Sequence, residues 1–288
     1  MNGSAAARFV YANGRLLERH RLAALTDTAA VGSVIEALRG YRNDDGGFGH
    51  ALEPDVRAPT SEPASTLAAL EVLGEIGRLA DAMVRDAATW IATIARDDGG
   101  IPFVLPAAAA FPRAPWMEPS AEASHLTFAL AAALWQAGAT GDWLERATDW
   151  CWATLEAVDE MSGYWVKFGL AFLDHAPDSE RAERGVERLR THVRGDGSVA
   201  VPGGTEHEAL TPLDLSPRPG SRSRALFTDE QIQSDLNRLE LGQQEDGGWM
   251  FDWLAWSPGQ AVEWRGIVTV RALTTLAANG RVADVNDE

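Results

Sequence analysis

Four times along the chain a short acidic and glycine-rich phrase interrupts an otherwise helical pattern: Asp44-Asp45-Gly46-Gly47-Phe48, Asp97-Asp98-Gly99-Gly100-Ile101, Gly195-Asp196-Gly197-Ser198-Val199 and Glu245-Asp246-Gly247-Gly248-Trp249. Aligned on Asp45, Asp98, Asp196 and Asp246, the phrases are 53, 98 and 50 residues apart. The middle gap is two periods, so a degenerate copy is expected near the helix-breaking Met161-Ser162-Gly163, giving about five repeats. Glycine after a helix accepts a left-handed conformation that other residues resist, and aspartate bonds the exposed backbone beside it. Each phrase therefore marks the end of one helix and the approach to the next.

The helices on the two sides of each phrase differ in kind. Ala29–Arg42, Asp81–Arg96, Asp142–Val158, Ser179–Arg194 and Asp229–Gln244 mix charges with apolar residues at helical spacing and suit an outer ring. Ser61–Ile76, Leu126–Gln136, Tyr164–Leu173 and Ile267–Ala278 follow the phrases. The last three are apolar nearly all round, as in helices packed on every side. Alternation of this sort predicts an all-α fold, an α/α toroid of about five helical-hairpin repeats in a single domain over residues 1–288. One unit departs from the pattern. Pro202-Gly203-Gly204, Pro212, Pro217 and Pro219 forbid a regular helix, so a long loop at about 199–227 is expected to replace one inner helix.

Composition narrows the function. With 42 acidic against 25 basic residues the formal charge is −17, which repels a phosphate backbone and excludes nucleic acid as a partner. The single Cys151 cannot form an internal disulfide, and Met1–Phe9 has no apolar core of signal-peptide length, so a cytoplasmic protein is expected. No apolar run approaches the roughly 20 residues of a bilayer span, which leaves only peripheral membrane contact open.

The last of the phrases, in its context Gln243-Gln244-Glu245-Asp246-Gly247-Gly248-Trp249, contains Gln-x-x-x-Gly-x-Trp and resembles the repeat motif of squalene cyclases. Asp45-Gly46-Gly47-Phe48 is similar to the repeats of protein prenyltransferase β subunits, and the whole chain resembles bacterial prenyltransferase-like proteins. In both motif-bearing families the repeat ties an outer helix to the following inner one, so the resemblance implies an α/α toroid. Their catalytic signatures do not carry over. The Asp-x-Asp-Asp of class II terpene cyclases and the magnesium-binding Asp-Asp-x-x-Asp of class I synthases are absent from the sequence. Asp149-Trp150-Cys151 mimics the zinc pair of protein prenyltransferases but falls in the middle of an outer helix, with no later histidine at an inner-helix start. No metal site is expected, and magnesium enters only if a diphosphate is the substrate.

Polar residues between each turn and its inner helix would ring a cavity mouth. In the first unit these are His50, Glu53, Asp55 and Arg57. Glu53 and Asp55 suit a carboxylate pair, one donating a proton and the other holding it, with Arg57 orienting them or binding an anion; alternatively Asp55 and Arg57 form an ion pair and Glu53 is solvated. The second unit offers Arg113, Trp116, Glu118, Glu122 and His125, with Glu122 and His125 spaced i, i+3 for a relay on one helix face. The last unit offers Asp252, Trp253, Trp256, Glu263, Trp264 and Arg265 around Ser257-Pro258, just before the final helix. Its tryptophan faces could stabilise a carbocation, and Glu263 is preferred over Arg265 as the residue facing the cavity, because i, i+2 positions diverge.

Asp55, Glu53 and Glu263 are thus the catalytic candidates and the remainder are substrate-binding candidates. The resemblance implies an isoprenoid-handling enzyme, a noncanonical terpenoid cyclase or prenyltransferase-like protein acting on a small, hydrophobic molecule. Paired acids and tryptophan platforms equally suit a carbohydrate-active α/α-toroid hydrolase or lyase, and pectate lyases of toroidal fold have similar Gly-Gly-Trp turns. A non-catalytic ligand-binding toroid is the third reading. Substrate identity and oligomeric state are not legible in the sequence.

Overall fold

The structure is a computed structural model that describes residues 1–157, 161–206 and 208–281. Val158, the expected end of the third amphipathic segment, lies outside these. The described residues form twelve α-helices and one two-stranded sheet. In chain order the helices are α1 Gly3–Asn13, α2 Leu16–Thr26, α3 Val31–Arg39, α4 Pro63–Glu75, α5 Ala82–Ile94, α6 Leu126–Gln136, α7 Asp142–Ala157, α8 Gly163–His175, α9 Ser179–Leu189, α10 Pro212–Leu215, α11 Asp229–Leu241 and α12 Pro258–Ala278. The fold is all-α, as the alternation predicts. The chain divides into two compact units, one of Arg39–His192 and one of Met1–Leu38 together with the chain from Val193 onward.

In the first of these units the apolar helices α4, α6 and α8 lie side by side, α4 on α6 and α6 on α8, while α5, α7 and α9 back them. The division follows from the residues. α9 buries only Ala182, Val186 and Leu189, a single stripe at helical spacing, whereas α6 buries Leu126 through Ala132 without a break. In the other unit α12 packs on α1, α2 and α11, and α1 packs on α2. The α1–α2 pair is a helical hairpin that the spacing of the phrases does not reveal, because no acidic-glycine turn joins its helices. α2 also carries a buried charge cluster. Glu18, with no exposed surface, accepts Arg15 Nε at 2.8 Å and lies 3.5 Å from Arg21 Nη1.

The four phrases are one turn repeated. In each, the second aspartate or its equivalent accepts the amide two residues on: Asp45 from Gly47 at 2.9 Å, Asp98 from Gly100 at 3.0 Å, Asp196 from Ser198 at 2.9 Å and Asp246 from Gly248 at 3.1 Å. The intervening glycines have φ between 86° and 93°. Their missing side chains also let the backbone settle on a neighbouring helix: a Cβ on Gly46 would stand 2.7 Å from Asp86 O in α5, and one on Gly247 would run into Ala5 O in α1. The residue after three of the turns is then latched to the next apolar helix by a threonine. Phe48 N donates to Thr66 Oγ1, Ile101 N to Thr127 Oγ1 and Trp249 N to Thr269 Oγ1, at 3.1, 2.8 and 3.0 Å. Trp249 is 4% exposed and wedges the joint, with its indole N–H on Leu239 O at 2.7 Å.

After the Asp196 turn no long apolar helix forms among the described residues. The expected loop region instead holds strands β1 Val199–Ala200 and β2 Ala209–Leu210, paired antiparallel, then the one-turn helix α10. Asp214 closes a capping box with Thr211, and Asp235 of α11 accepts Leu213 N at 2.8 Å. Prolines shorten the helix here, and specific hydrogen bonds replace it.

Candidate functional site

His50, Glu53, Asp55 and Arg57 lie between the first turn and α4, on a segment that several backbone hydrogen bonds hold in place. His50 N donates to Ala58 O, Arg57 N to Pro112 O, and Asp55 O accepts Ala114 N, at 2.9, 3.0 and 2.8 Å. His50 and Ala51 are both left-handed, at φ 54° and 58°, an uncommon conformation for two successive non-glycine residues. The His50 ring lies 3.0 Å from Asn43 Oδ1. Asp55 is buried and Glu53 half-buried, and Glu53 Oε1 accepts the Asp55 amide at 3.3 Å. The structure therefore brings these two acids together, with the carboxyl of one on the backbone of the other.

The second set separates. Arg113 reaches Glu118 at 3.3 Å and Ala109 O at 3.0 Å, and Trp116 is exposed. Glu122 is also exposed and sits 3.7 Å from Arg96. The expected Glu122–His125 relay does not form, because α6 begins at Leu126 and Glu122 lies in the non-helical approach to it, where i, i+3 residues no longer share a face. His125 instead enters an aromatic group. Its ring centre stands 4.9 Å from Phe103, 5.5 Å from Phe168 in a stacked arrangement, 5.7 Å from Trp165 edge-on and 6.1 Å from Tyr164. Burial among these rings holds the imidazole neutral, its pKa pushed down from 6.5 to about 4. Phe103 approaches from the preceding loop, while Tyr164, Trp165 and Phe168 come from the first turns of α8.

The third set lies in the other unit. Trp253 meets Phe251 and Trp264, each at 4.9 Å, the latter edge to face, and the Trp253 indole N–H is buried with no hydrogen-bond partner among the described residues. Asp252 is exposed and its carbonyl accepts the Thr205 hydroxyl at 2.7 Å; Trp256 and Glu263 are half-buried. Glu263, Trp264 and Arg265 fall inside the final helix rather than before it. α12 starts at Pro258, where Ser257 accepts Gln260 N at 3.2 Å and a proline at the first position favours helix initiation. Arg265 is absorbed by the turn. It pairs with both oxygens of Asp246 at 2.8 Å and stacks 4.5 Å above the Phe9 ring, and this pairing holds the Asp246 carboxyl below its usual range.

Sequence reasoning passed over Glu62. It stands just before α4, 1% exposed, with Oε2 accepting Leu105 N at 2.9 Å and Oε1 buried without a partner. Burial pushes its pKa from 4.5 up to about 7, against the smaller opposing pull of the Leu105 amide. Reading the inner helix from Ser61 places Glu62 inside it. The available signal was Pro63, which fixes the first helical position and leaves Glu62 as a cap, a role the residue does not fill. The aromatic group was passed over for a different reason. Tyr164, Trp165 and Phe168 were legible as part of an apolar helix, but which of their faces meet His125 depends on α6 packing against α8.

Other features bear on chemistry. Cys151 is fully buried, which pushes its thiol well above its usual range, while Asp149 is exposed on the same helix, so the two cannot share a ligand. Among the described residues no three His, Cys, Asp or Glu side chains come together as a metal-holding group, and no helix is long and apolar enough to cross a membrane. A depression of about 420 Å³ between α2 and α3, lined by His20, Ser33 and Glu36, contains none of the predicted site residues.

No protein-family model and no curated protein sequence matches this chain. Solved structures do. A protein from Actinoplanes is similar at 18% identity and a TM-score of 0.55, over 95% of this chain and 88% of that one. Type II terpene cyclase MstE from Scytonema is similar at 14% identity: one variant, in complex with its substrate geranylgeranyl dihydroxybenzoate, has a TM-score of 0.51 over 95% of this chain and 87% of that one. Another variant, in complex with its product merosterolic acid A, has a TM-score of 0.50 over 96% and 87%, again at 14% identity. Identities this low carry architecture alone, and the architecture is plain: the chain has a terpene cyclase-like, all-helical fold.

Proposed function

We propose that this chain is an isoprenoid-handling enzyme of the terpenoid-cyclase kind, working as one cytoplasmic domain on a small, largely hydrophobic molecule. The observation that carries the reading is the aromatic group at the N-terminal ends of α6 and α8, with a histidine kept neutral at its centre. A carbocation is attracted to the faces of Phe, Tyr and Trp by about 0.5 to 2 kcal/mol per ring, and these rings are half-buried in the free protein. A charged imidazolium in the same place would oppose it, and burial removes that charge, while the Lys167 ammonium lies 5.8 Å over the Tyr164 and Phe168 rings at the edge of the group. The solved neighbours that share this fold and bind a prenylated substrate or its product lend support. In this reading Asp55, Glu53 and Glu263 are the acidic candidates, Trp253, Trp256 and Trp264 supply further aromatic surface, and His50, Arg57, Trp116, Glu122, His125, Asp252 and Arg265 complete the substrate-binding set.

The test is incubation of the purified chain with geranylgeranylated aromatic acids, polyprenyl diphosphates and squalene, with products read by mass spectrometry and binding by quenching of tryptophan fluorescence. Magnesium should matter only for a diphosphate substrate. Trp165→Ala and Phe168→Ala should each lower kcat by roughly 10-fold, the loss of one to two kcal/mol of charge stabilisation. Absence of both turnover and binding across the panel would sink the proposal.

A further inference from the structure

Tyr164, Lys167 and Phe168 share one face of α8, at i, i+3 and i+4, while Val166 and Leu170 on its other side have no exposed surface. The first three are half-buried, as are Phe103, His125 and Trp165, so the group presents partly open rings to solvent within one compact unit. Three of the rings lie close to parallel. His125 is inclined to Phe168 by 9° and to Tyr164 by 28°, and Tyr164 to Phe168 by 31°. Near-parallel, partly open faces suit a flat ring, which gains most from offset stacking.

The cation beside these rings differs from the others in the chain. Lys167 is the single lysine among 25 basic residues. Arg181 lies 4.5 Å over the Trp152 ring and Arg265 4.5 Å over that of Phe9, and both of those rings are buried. A guanidinium stacks flat and covers a ring, whereas an ammonium is a compact point charge. Lys167 Nζ stands back at 5.8 Å from the centres of both Tyr164 and Phe168, near the roughly 6 Å limit of cation–π attraction, and the two rings stay half-buried. A further ring packed on them would have its centre about 4.5 to 7 Å from theirs. That shell contains the ammonium, so an anionic group on the edge of such a ring comes within hydrogen-bonding reach of Nζ. An ammonium has three donors, enough to serve a ligand as well as a neighbour on the chain. His125 supplies a ring face without a charge of its own near neutral pH.

From this juxtaposition we propose that the open face of α8 binds a planar aromatic acid, its ring laid on Tyr164 and Phe168 and its carboxylate taken by Lys167 Nζ. The proposal goes beyond the isoprenoid reading, because it requires neither a prenyl chain on the ligand nor any turnover. In a chain of net charge −17 an anion is held only where a local cation meets it. The site therefore selects for charge and flatness together: a neutral ring forgoes the ammonium, and a saturated acid forgoes the stacking.

Naphthoate, its neutral counterpart naphthalenemethanol and cyclohexanecarboxylate separate these requirements, with binding to the full chain measured by titration calorimetry at neutral pH. Naphthoate should bind with a Kd below about 1 mM, and the other two at least about 10-fold more weakly. Lys167→Gln should bring naphthoate and naphthalenemethanol to within about twofold of each other, and Lys167→Arg should restore only part of the difference. Because Lys167 is the single lysine, an amine-reactive ester modifies it and the α-amino group alone, and saturating naphthoate should slow modification of Lys167 several-fold. Equal affinity of the wild type for naphthoate and naphthalenemethanol overturns the proposal, as does full reactivity of Lys167 at saturation. Both are read on the wild type, so a folding defect in a variant does not enter. A wild type that binds prenylated hydrocarbons but not naphthoate overturns it and leaves the isoprenoid reading standing. Naphthoate binding that protects Lys167, with no turnover of any prenylated probe, supports it and removes that reading.

Discussion

Glu62 and Glu18 are both glutamates with almost no exposed surface, and they show how a side chain's partners decide its chemistry. Glu18 lies between Arg15 and Arg21, a charge held by charges. Glu62 has one amide and an otherwise unanswered carboxyl. The second arrangement makes stability depend on pH, with a definite sign. Because the folded protein holds the Glu62 proton up to about pH 7 and the unfolded chain only to about 4.5, the contribution is complete below 4.5 and is lost as pH rises toward 7. The loss across that window amounts to ~3 kcal/mol. Glu62→Gln should remove it, so urea midpoints of wild type and variant should diverge between pH about 5 and 8 in favour of the variant. The turn aspartates act in the opposite direction at lower pH. Asp196 and Asp246 are held below the ordinary carboxylate value of 3.8, the first chiefly by the Ser198 amide and the second chiefly by Arg265, so their contribution is lost only on strong acidification.

At the scale of the element, the turn and its threonine latch form the repeating device. The turn was legible because glycine and aspartate are needed there for reasons internal to the peptide. The latch was not, because Thr66, Thr127 and Thr269 stand 18, 26 and 20 residues beyond the amides they accept, with no fixed interval between them. Helix limits followed the same rule. α6 occupies the predicted Leu126–Gln136, whereas α12 starts at Pro258, nine residues before the apolar run, since the cap and the proline rather than hydrophobicity set its beginning. Two glycine substitutions separate backbone conformation from packing. At Gly77, φ is +67° and nothing lies within 4 Å of an added Cβ, so Gly77→Ala should cost only about 1 kcal/mol, that of a left-handed alanine. At Gly247, φ is +93° and the added atom would run into Ala5 O, so Gly247→Ala should lower the thermal midpoint substantially further. Equal shifts in the two variants would show that close approach to α1 contributes nothing.

Across the whole molecule, 42 acidic residues stand against 25 basic, and like charges repel most when the chain is compact. The thermal midpoint should rise as sodium chloride is increased from about 20 to about 500 mM, because the screening length falls from tens of ångströms to a few. A midpoint that falls or stays level would mean that pairs such as Arg265–Asp246 and Arg181–Glu156 outweigh the net repulsion. The same charge bears on the ligand, since an anionic substrate would need local cations while a neutral apolar chain with one reactive alkene would not. The aromatic group offers something to each, a neutral His125 at its centre and the Lys167 ammonium 5.8 Å over the Tyr164 and Phe168 rings.

By itself the sequence determined the helical class, the period of the turns, the sorting of helices into amphipathic and apolar, and the place where prolines end a helix early. Each of these depends on forces acting within a few residues: φ preference, hydrogen bonding to a neighbouring amide, and hydrophobic spacing along one face. Glu53 and Asp55 were legible as neighbours for the same reason. Only the tertiary structure decided that Glu122 turns to Arg96, that Arg265 belongs to the turn, that rings from α8 surround His125, and that Glu62 is sealed behind Leu105. Burial and partnership are set by segments that meet across tens of residues, and whether a carboxyl keeps its proton depends on what those segments exclude as much as on what they supply.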